Sequence, residues 1–185
     1  SEGLAVLNGS GERLWRPLCN PKMLQTSAFV DKDPKGFGFA QRDRTFRSFE
    51  DLEAHYERRP TVWVEPKGAW GDGFIELIEI PVEEEIHDNI VAFWKPAKEL
   101  EPGGVHDFTY RLHWSEDVPA AWSGARVAKT RVGASKKGGV SMFVVDFEGS
   151  AVKELRDLPV AELAVNPGSS ANIVVQRNPE IAGVR

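Results

Sequence analysis

Gly73-Phe74-Ile75-Glu76-Leu77-Ile78-Glu79-Ile80 is the stretch that decides the fold. Read with a period of two, it sets Phe74, Glu76, Ile78 and Ile80 on one side and Ile75, Leu77 and Glu79 on the other. Five of these seven residues are apolar, which predicts a strand covered on both faces in the middle of a packed sheet. Outward from it, short runs of β-branched and aromatic residues recur between turn formers. Toward the N-terminus they are Leu4–Leu7, Arg13–Arg16, Gln25–Val30, Gly36–Gln41 and Thr61–Glu65. Toward the C-terminus they are Asn89–Trp94, Asp107–Trp114, Ala125–Val132, Gly139–Phe147, Ala161–Val165 and Asn172–Gln176. With 17 Gly and 12 Pro as punctuation, this spacing predicts an all-β protein of sandwich type. Ser48–Tyr56 breaks the pattern: a Ser N-cap with acidic residues in its first turn predicts a short helix, ended by Pro60.

Lys95-Pro-Ala-Lys-Glu-Leu-Glu-Pro-Gly-Gly104 is polar and rich in Pro and Gly, as a linker is. It divides the chain into an expected domain at 1–98 and a second at 103–185, the latter of immunoglobulin-like size but without paired cysteines. Cys19 is the only cysteine, which excludes an internal disulfide and a cysteine zinc cluster. No apolar run reaches the roughly 18 residues of a membrane helix, and no secretion signal opens the chain. The net charge of −5 and the scatter of basic residues argue against nucleic acid as a partner, because phosphate binding needs a concentrated cationic surface. His55, His87, His106 and His113 lack zinc spacing, and no phosphate-binding loop or hydrolase elbow is present, so neither metal nor cofactor is expected.

Two clusters carry chemistry, each with two readings. Arg42-Asp-Arg-Thr-Phe-Arg47 and His55-Tyr-Glu-Arg-Arg59 alternate arginines with aromatics. Such a pattern suits a sugar, since guanidinium forks bind oxygens and aromatic faces stack on the C–H surface of a pyranose. It equally suits a solvated loop pinned by internal ion pairs. Glu83-Glu-Glu-Ile-His-Asp-Asn89 gathers carboxylates between two strands. Mutual repulsion, together with partial desolvation against Phe93 and Trp94, would let one of them hold a proton at neutral pH, as a glycosidase acid must. The plainer reading is a turn bent at Asp88-Asn89 with the glutamates in water. Of the six tryptophans, Trp70 and Trp122 fall in loops, where each could stack on sugar or fold back onto its own sheet.

Several stretches resemble the periplasmic glucan biosynthesis family (OpgG/OpgD, also MdoG/MdoD). They include Gly11-Glu-Arg-Leu-Trp-Arg-Pro-Leu-Cys-Asn-Pro-Lys22, Pro34-Lys-Gly-Phe-Gly-Phe-Ala-Gln-Arg-Asp-Arg44, Tyr56-Glu-Arg-Arg-Pro60 and Val62-Trp-Val-Glu-Pro-Lys-Gly68. Ile75-Glu-Leu-Ile-Glu-Ile-Pro81 and Asp88-Asn-Ile-Val-Ala-Phe-Trp94 continue the likeness, which thins after Trp114 and echoes in Phe143-Val-Val-Asp-Phe147.

The resemblance implies the C-terminal part of a large, sugar-binding-like β-sandwich followed by an immunoglobulin-like β-sandwich that stops early. It implies a periplasmic protein acting on β-1,2-linked glucan, in some members as an inverting hydrolase. By resemblance, Asp88 falls on the general acid, and Tyr56, Arg59 and Glu85 fall on residues lining the glucan cleft. The family's catalytic base precedes the segment matching Ser1, so the 185 residues alone are expected to be inactive. Two rival expectations stand beside hydrolysis. One is a non-catalytic glucan-binding or scaffolding protein. The other is an interaction module whose second half contacts the membrane glucan-synthesis machinery.

Overall fold

A computed structural model describes residues 1–84, 86–119, 124–134, 139–166 and 168–185. Strands dominate it, in three antiparallel sheets with one short helix. The chain divides into two compact units, Ser1–Pro119 and Ala120–Arg185.

In the first unit the strands are β1 (Gly3–Leu7), β2 (Arg13–Pro17), β3 (Gln25–Lys32), β4 (Gly36–Ala40), β5 (Thr61–Lys67), β6 (Asp72–Glu79), β7 (Ile90–Pro96) and β8 (Thr109–Ser115). One sheet runs β2-β1-β4-β5-β8 and the other β3-β6-β7. They share one core: Leu4 and Val6 of β1 and Phe37 of β4 pack with Ile75 and Leu77 of β6. Full burial of each large side chain there is worth about 1.5–3 kcal/mol. The division falls after Pro119, beyond the Pro/Gly-rich segment, because β8 pairs with β5 from Thr61↔Ser115 to Lys67↔Thr109.

β6 is central, as its sequence predicts, but its faces differ. Gly73, Ile75, Leu77 and Glu79 are buried, whereas Phe74, Glu76 and Ile78 are only half-covered. The same outer row continues into Val30 of β3, 84% exposed, and Phe93 of β7, 38% exposed, and no described element lies over it.

Tight strand approach fixes one glycine. A Cβ on Gly38 of β4 would run into the Val62 carbonyl oxygen and the Trp63 Cα of β5, neither of which can swing aside. Overpacking of this kind costs about 2–3 kcal/mol. Gly38→Ala should therefore lower the unfolding midpoint of the first unit by about 10 °C in a thermal melt; an unchanged midpoint would show that the two strands yield.

The second unit contains β9 (Arg126–Ala134), β10 (Ser141–Glu148), the one-turn helix α1 (Ser150–Lys153), β11 (Arg177–Asn178) and β12 (Gly183–Val184), with sheet order β11-β12-β10-β9. A bulge between Asp146 and Phe147 shifts the β9–β10 register. The strands expected at Ala161–Val165 and Asn172–Gln176 do not form. Their apolar residues Leu163, Val165, Ile173 and Val174 are exposed, and alternation without a neighbouring ladder leaves a strand unpaired. Pairing begins only at Gln176, whose backbone exchanges two hydrogen bonds with Arg185 (2.9 and 2.8 Å).

Candidate functional site

Residues 41–60 join β4 to β5 and contain no α-helix. The expected helix over 48–56 is replaced by two 3-10 turns, Phe46–Ser48 and Tyr56–Arg58. Left-handed backbone angles at Glu50 and His55 interrupt helical continuation. Between them the Asp51 carboxylate accepts the N–H groups of Ala54 (2.7 Å) and Glu53 (2.9 Å), bonds that hold its pKa below the usual value.

The arginines of this segment divide by role. Arg44 is committed to the fold, donating to the carbonyls of Glu57 and Arg59 (3.1 Å each) and to that of Glu116. Arg58 faces Glu57 (3.4 Å). Arg42 lies over the Trp15 ring at 4.1 Å. Arg59 is exposed, with its guanidinium 4.4 Å above the half-buried Tyr56 ring, and Phe49 abuts that ring from 6.1 Å. Burial pushes the Glu57 carboxyl upward, but its own backbone N–H and the His55 ring (3.1 Å) outweigh this, and the net shift is down. One Glu57 oxygen remains buried without a hydrogen-bond partner among the described residues.

The segment is tied to the start of the chain. The Glu2 carboxylate accepts the N–H groups of Arg42 and Asp43.

Asp88 stands on the connection from β6 to β7. That loop is closed at its neck by Ile80 N–H to Asn89 O (2.8 Å) and by the Asn89 amide to Ile80 O (3.1 Å). The loop bends at Glu83, Glu84, Ile86 and His87, with the His87 N–H on Glu84 O (3.4 Å), and not at Asp88-Asn89 as the turn reading expects; Asn89 closes the neck instead. Among the described carboxylates the partial desolvation expected here against Phe93 and Trp94 is absent: Glu83, Glu84 and Asp88 are all exposed. Glu85 lies outside the described residues. Tyr56 and Arg59 are brought together, while no hydrogen bond or ion pair joins Asp88 to either among the described residues.

Other polar residues stand out only in three dimensions. Glu65 of β5 is held between Lys67 (2.5 Å) and His113 of β8 (2.8 Å), and these bonds bring its pKa down to about 2. Glu79 at the end of β6 is 0% exposed and binds Arg16 of β2 (2.7 Å) and the Cys19 N–H (2.7 Å). Its signal in the sequence was a carboxylate in the row shared with Ile75 and Leu77. Trp70 folds back rather than facing a ligand. Its indole N–H donates to Thr109 O (3.2 Å), and Phe37, Trp94, Phe108 and Tyr110 surround it. Trp122 lies outside the described residues. Among the described residues, no three His, Cys, Asp or Glu side chains sit close enough to hold a metal ion. A shallow groove in the second unit, bordered by Arg126, Glu148, Ser150 and Lys153, contains none of the four expected site residues.

Comparison with known proteins matches this arrangement to one family. The family model described as "Periplasmic glucan biosynthesis protein, MdoG" matches residues 1–185. "Glucans biosynthesis protein G" of Rhodopseudomonas palustris is 48% identical over 186 residues, covering 100% of this chain and 37% of the relative. The proteins of the same name from Vibrio cholerae (47% over 188 residues) and Shewanella frigidimarina (49% over 191 residues) are each matched over 34% of their length and 100% of this chain. The chain thus spans about a third of the length of these curated relatives. It belongs to the periplasmic glucan biosynthesis protein family MdoG.

Proposed function

We propose that the whole protein acts on β-1,2-linked glucan as an inverting glycoside hydrolase, with Asp88 as proton donor and Tyr56, Arg59 and Glu85 along the substrate. The match of all 185 residues to a glucan biosynthesis family carries this reading. Physical support comes from the Arg59–Tyr56 stack, which offers a cation and an aromatic face to one sugar ring. Asp88 is exposed, so in this reading the desolvation that lets it hold a proton comes from bound glucan or from the rest of the whole protein. In this reading the first unit, expected at residues 1–98 but extending through β8, is the last part of a large sugar-binding-like sandwich, and the rest of the domain expected at 103–185 is immunoglobulin-like.

Inversion requires a second carboxylate on the far side of the sugar, about 6.5–9.5 Å from the first, to activate water. By the family resemblance that base lies outside these 185 residues. The isolated chain should therefore release no product from linear β-1,2-glucan, whereas the whole protein should release α-anomeric ends. Turnover by the isolated chain would show that the base is misplaced.

The names of the relatives, which say biosynthesis, favour one other reading: a glucan-binding or scaffolding protein that serves the membrane glucan-synthesis machinery. Glucan retained by the whole protein without cleavage would select it.

A further inference from the structure

The loop carrying Asp88 is closed at its neck, but a closed neck does not fix where the loop points. Among the described residues, its side-chain anchor to the rest of the unit is Asn20. The Asn20 amide donates to Val82 O (2.7 Å), and its carbonyl accepts the Val82 N–H (3.1 Å). One carboxamide thereby copies the paired bonds of an antiparallel strand.

Asn20 is exposed, but the residues before it are tied to the sheet. The preceding residue, Cys19, gives its N–H to the buried Glu79, which also grips Arg16. Leu18 N–H bonds to Glu2 O (2.9 Å). Pro21 follows and restricts the Asn20 backbone to extended angles. A chain of contacts thus runs from the end of β6 through Glu79 and Cys19 to Asn20, and back onto Val82.

We propose that Asn20 is a positioning residue that sets the Asp88 loop for proton donation. The proposal rests on the reading of Asp88 as general acid. A side chain misplaced by about 1 Å can cost a hundredfold in rate, which is the scale expected when this anchor is cut.

The test is Asn20→Ala in the whole protein, with two readouts. In hydrogen exchange, the Val82 and His87 amides should exchange about tenfold faster, while those of Ile75 and Leu77 keep their protection. In kinetics, kcat on β-1,2-glucan should fall about 10- to 100-fold with KM changed less than about twofold. On an aryl glucoside whose leaving group needs no proton, the loss should shrink to about threefold or less. Unchanged exchange at Val82 overturns the anchor. An equal loss on both substrates, or a loss under threefold on glucan, overturns the positioning role. A wild-type whole protein that cleaves no glucan removes the proton-donor reading and the positioning role with it, while exchange still reports the anchor separately.

Discussion

Asp88→Asn in the whole protein should reduce hydrolysis of β-1,2-glucan by about a thousandfold or more and leave glucan binding within a few-fold. A departing sugar alkoxide is a poor leaving group unless it gains a proton as the bond breaks. General acids supply about 10²–10⁴ in rate by delivering that proton, and an amide cannot. The substitution is nearly isosteric, and Asp88 is exposed with no bonded partner among the described residues. Surface changes of this kind usually alter stability by no more than about 0.5 kcal/mol, so unfolding would not imitate the effect. The measurement is reducing-end formation beside binding to the same glucan. Retained cleavage by Asp88→Asn would exclude the acid role. Lost binding together with lost cleavage would make position 88 a contact residue instead.

Local information in the sequence located the strands but not what holds them. The Gly73–Ile80 alternation correctly placed Ile75, Leu77 and Glu79 on one buried side, because a period of two depends only on neighbours. It did not foresee that the Phe74 side stays half-open, since coverage depends on elements far away in the chain or beyond these 185 residues. The helix expected over 48–56 does not form because Glu50 and His55 take left-handed backbone angles, which a Ser cap and acidic first turn do not foretell. The strands expected near 163 and 174 failed for want of a partner ladder. At the candidate site, the Arg/aromatic segment was legible as a pattern, yet which arginine meets the aromatic ring was not. Arg44 and Arg59 differ in role only because Arg44 finds three carbonyls on segments brought near by folding. Asn20 and Val82 are 62 residues apart in the chain, and a single asparagine before a proline gives no local hint of such a bond.

Arg185→Ala should lower the unfolding midpoint of the second unit more than any other single change at this cluster, because it leaves a buried anion with only part of its pairing. Asp146 of β10 is 3% exposed. It receives Arg185 Nε (2.7 Å) and Nη2 (3.2 Å), Arg131 Nη1 of β9 (2.5 Å) and Asn178 Nδ2 of β11 (3.0 Å). These contacts tie three strands and the end of the sheet to one carboxylate. Arg185 contributes most to holding its pKa well below the ordinary value of 3.8, against the upward push of burial. Asp146→Ala should cost less, about 2 kcal/mol, since both guanidiniums are partly exposed and can turn to water once the carboxylate is gone. For a unit this small, either change removes a large share of the total stability. The pH dependence has a definite sign. Above about pH 5 the carboxylate is ionised in both the folded and unfolded states, and its contribution is full. As pH falls below that, the unfolded chain takes up a proton that the folded unit refuses, so stability declines until the folded pKa is passed. Acid unfolding followed by hydrogen exchange in β9 and β10 should show this loss in the wild type, and Asp146→Asn should lack that part of it. If Asp146→Ala proved more damaging than Arg185→Ala, the strands would be held mainly by attraction to the carboxylate, and the cost of burying it unpaired would be the smaller effect.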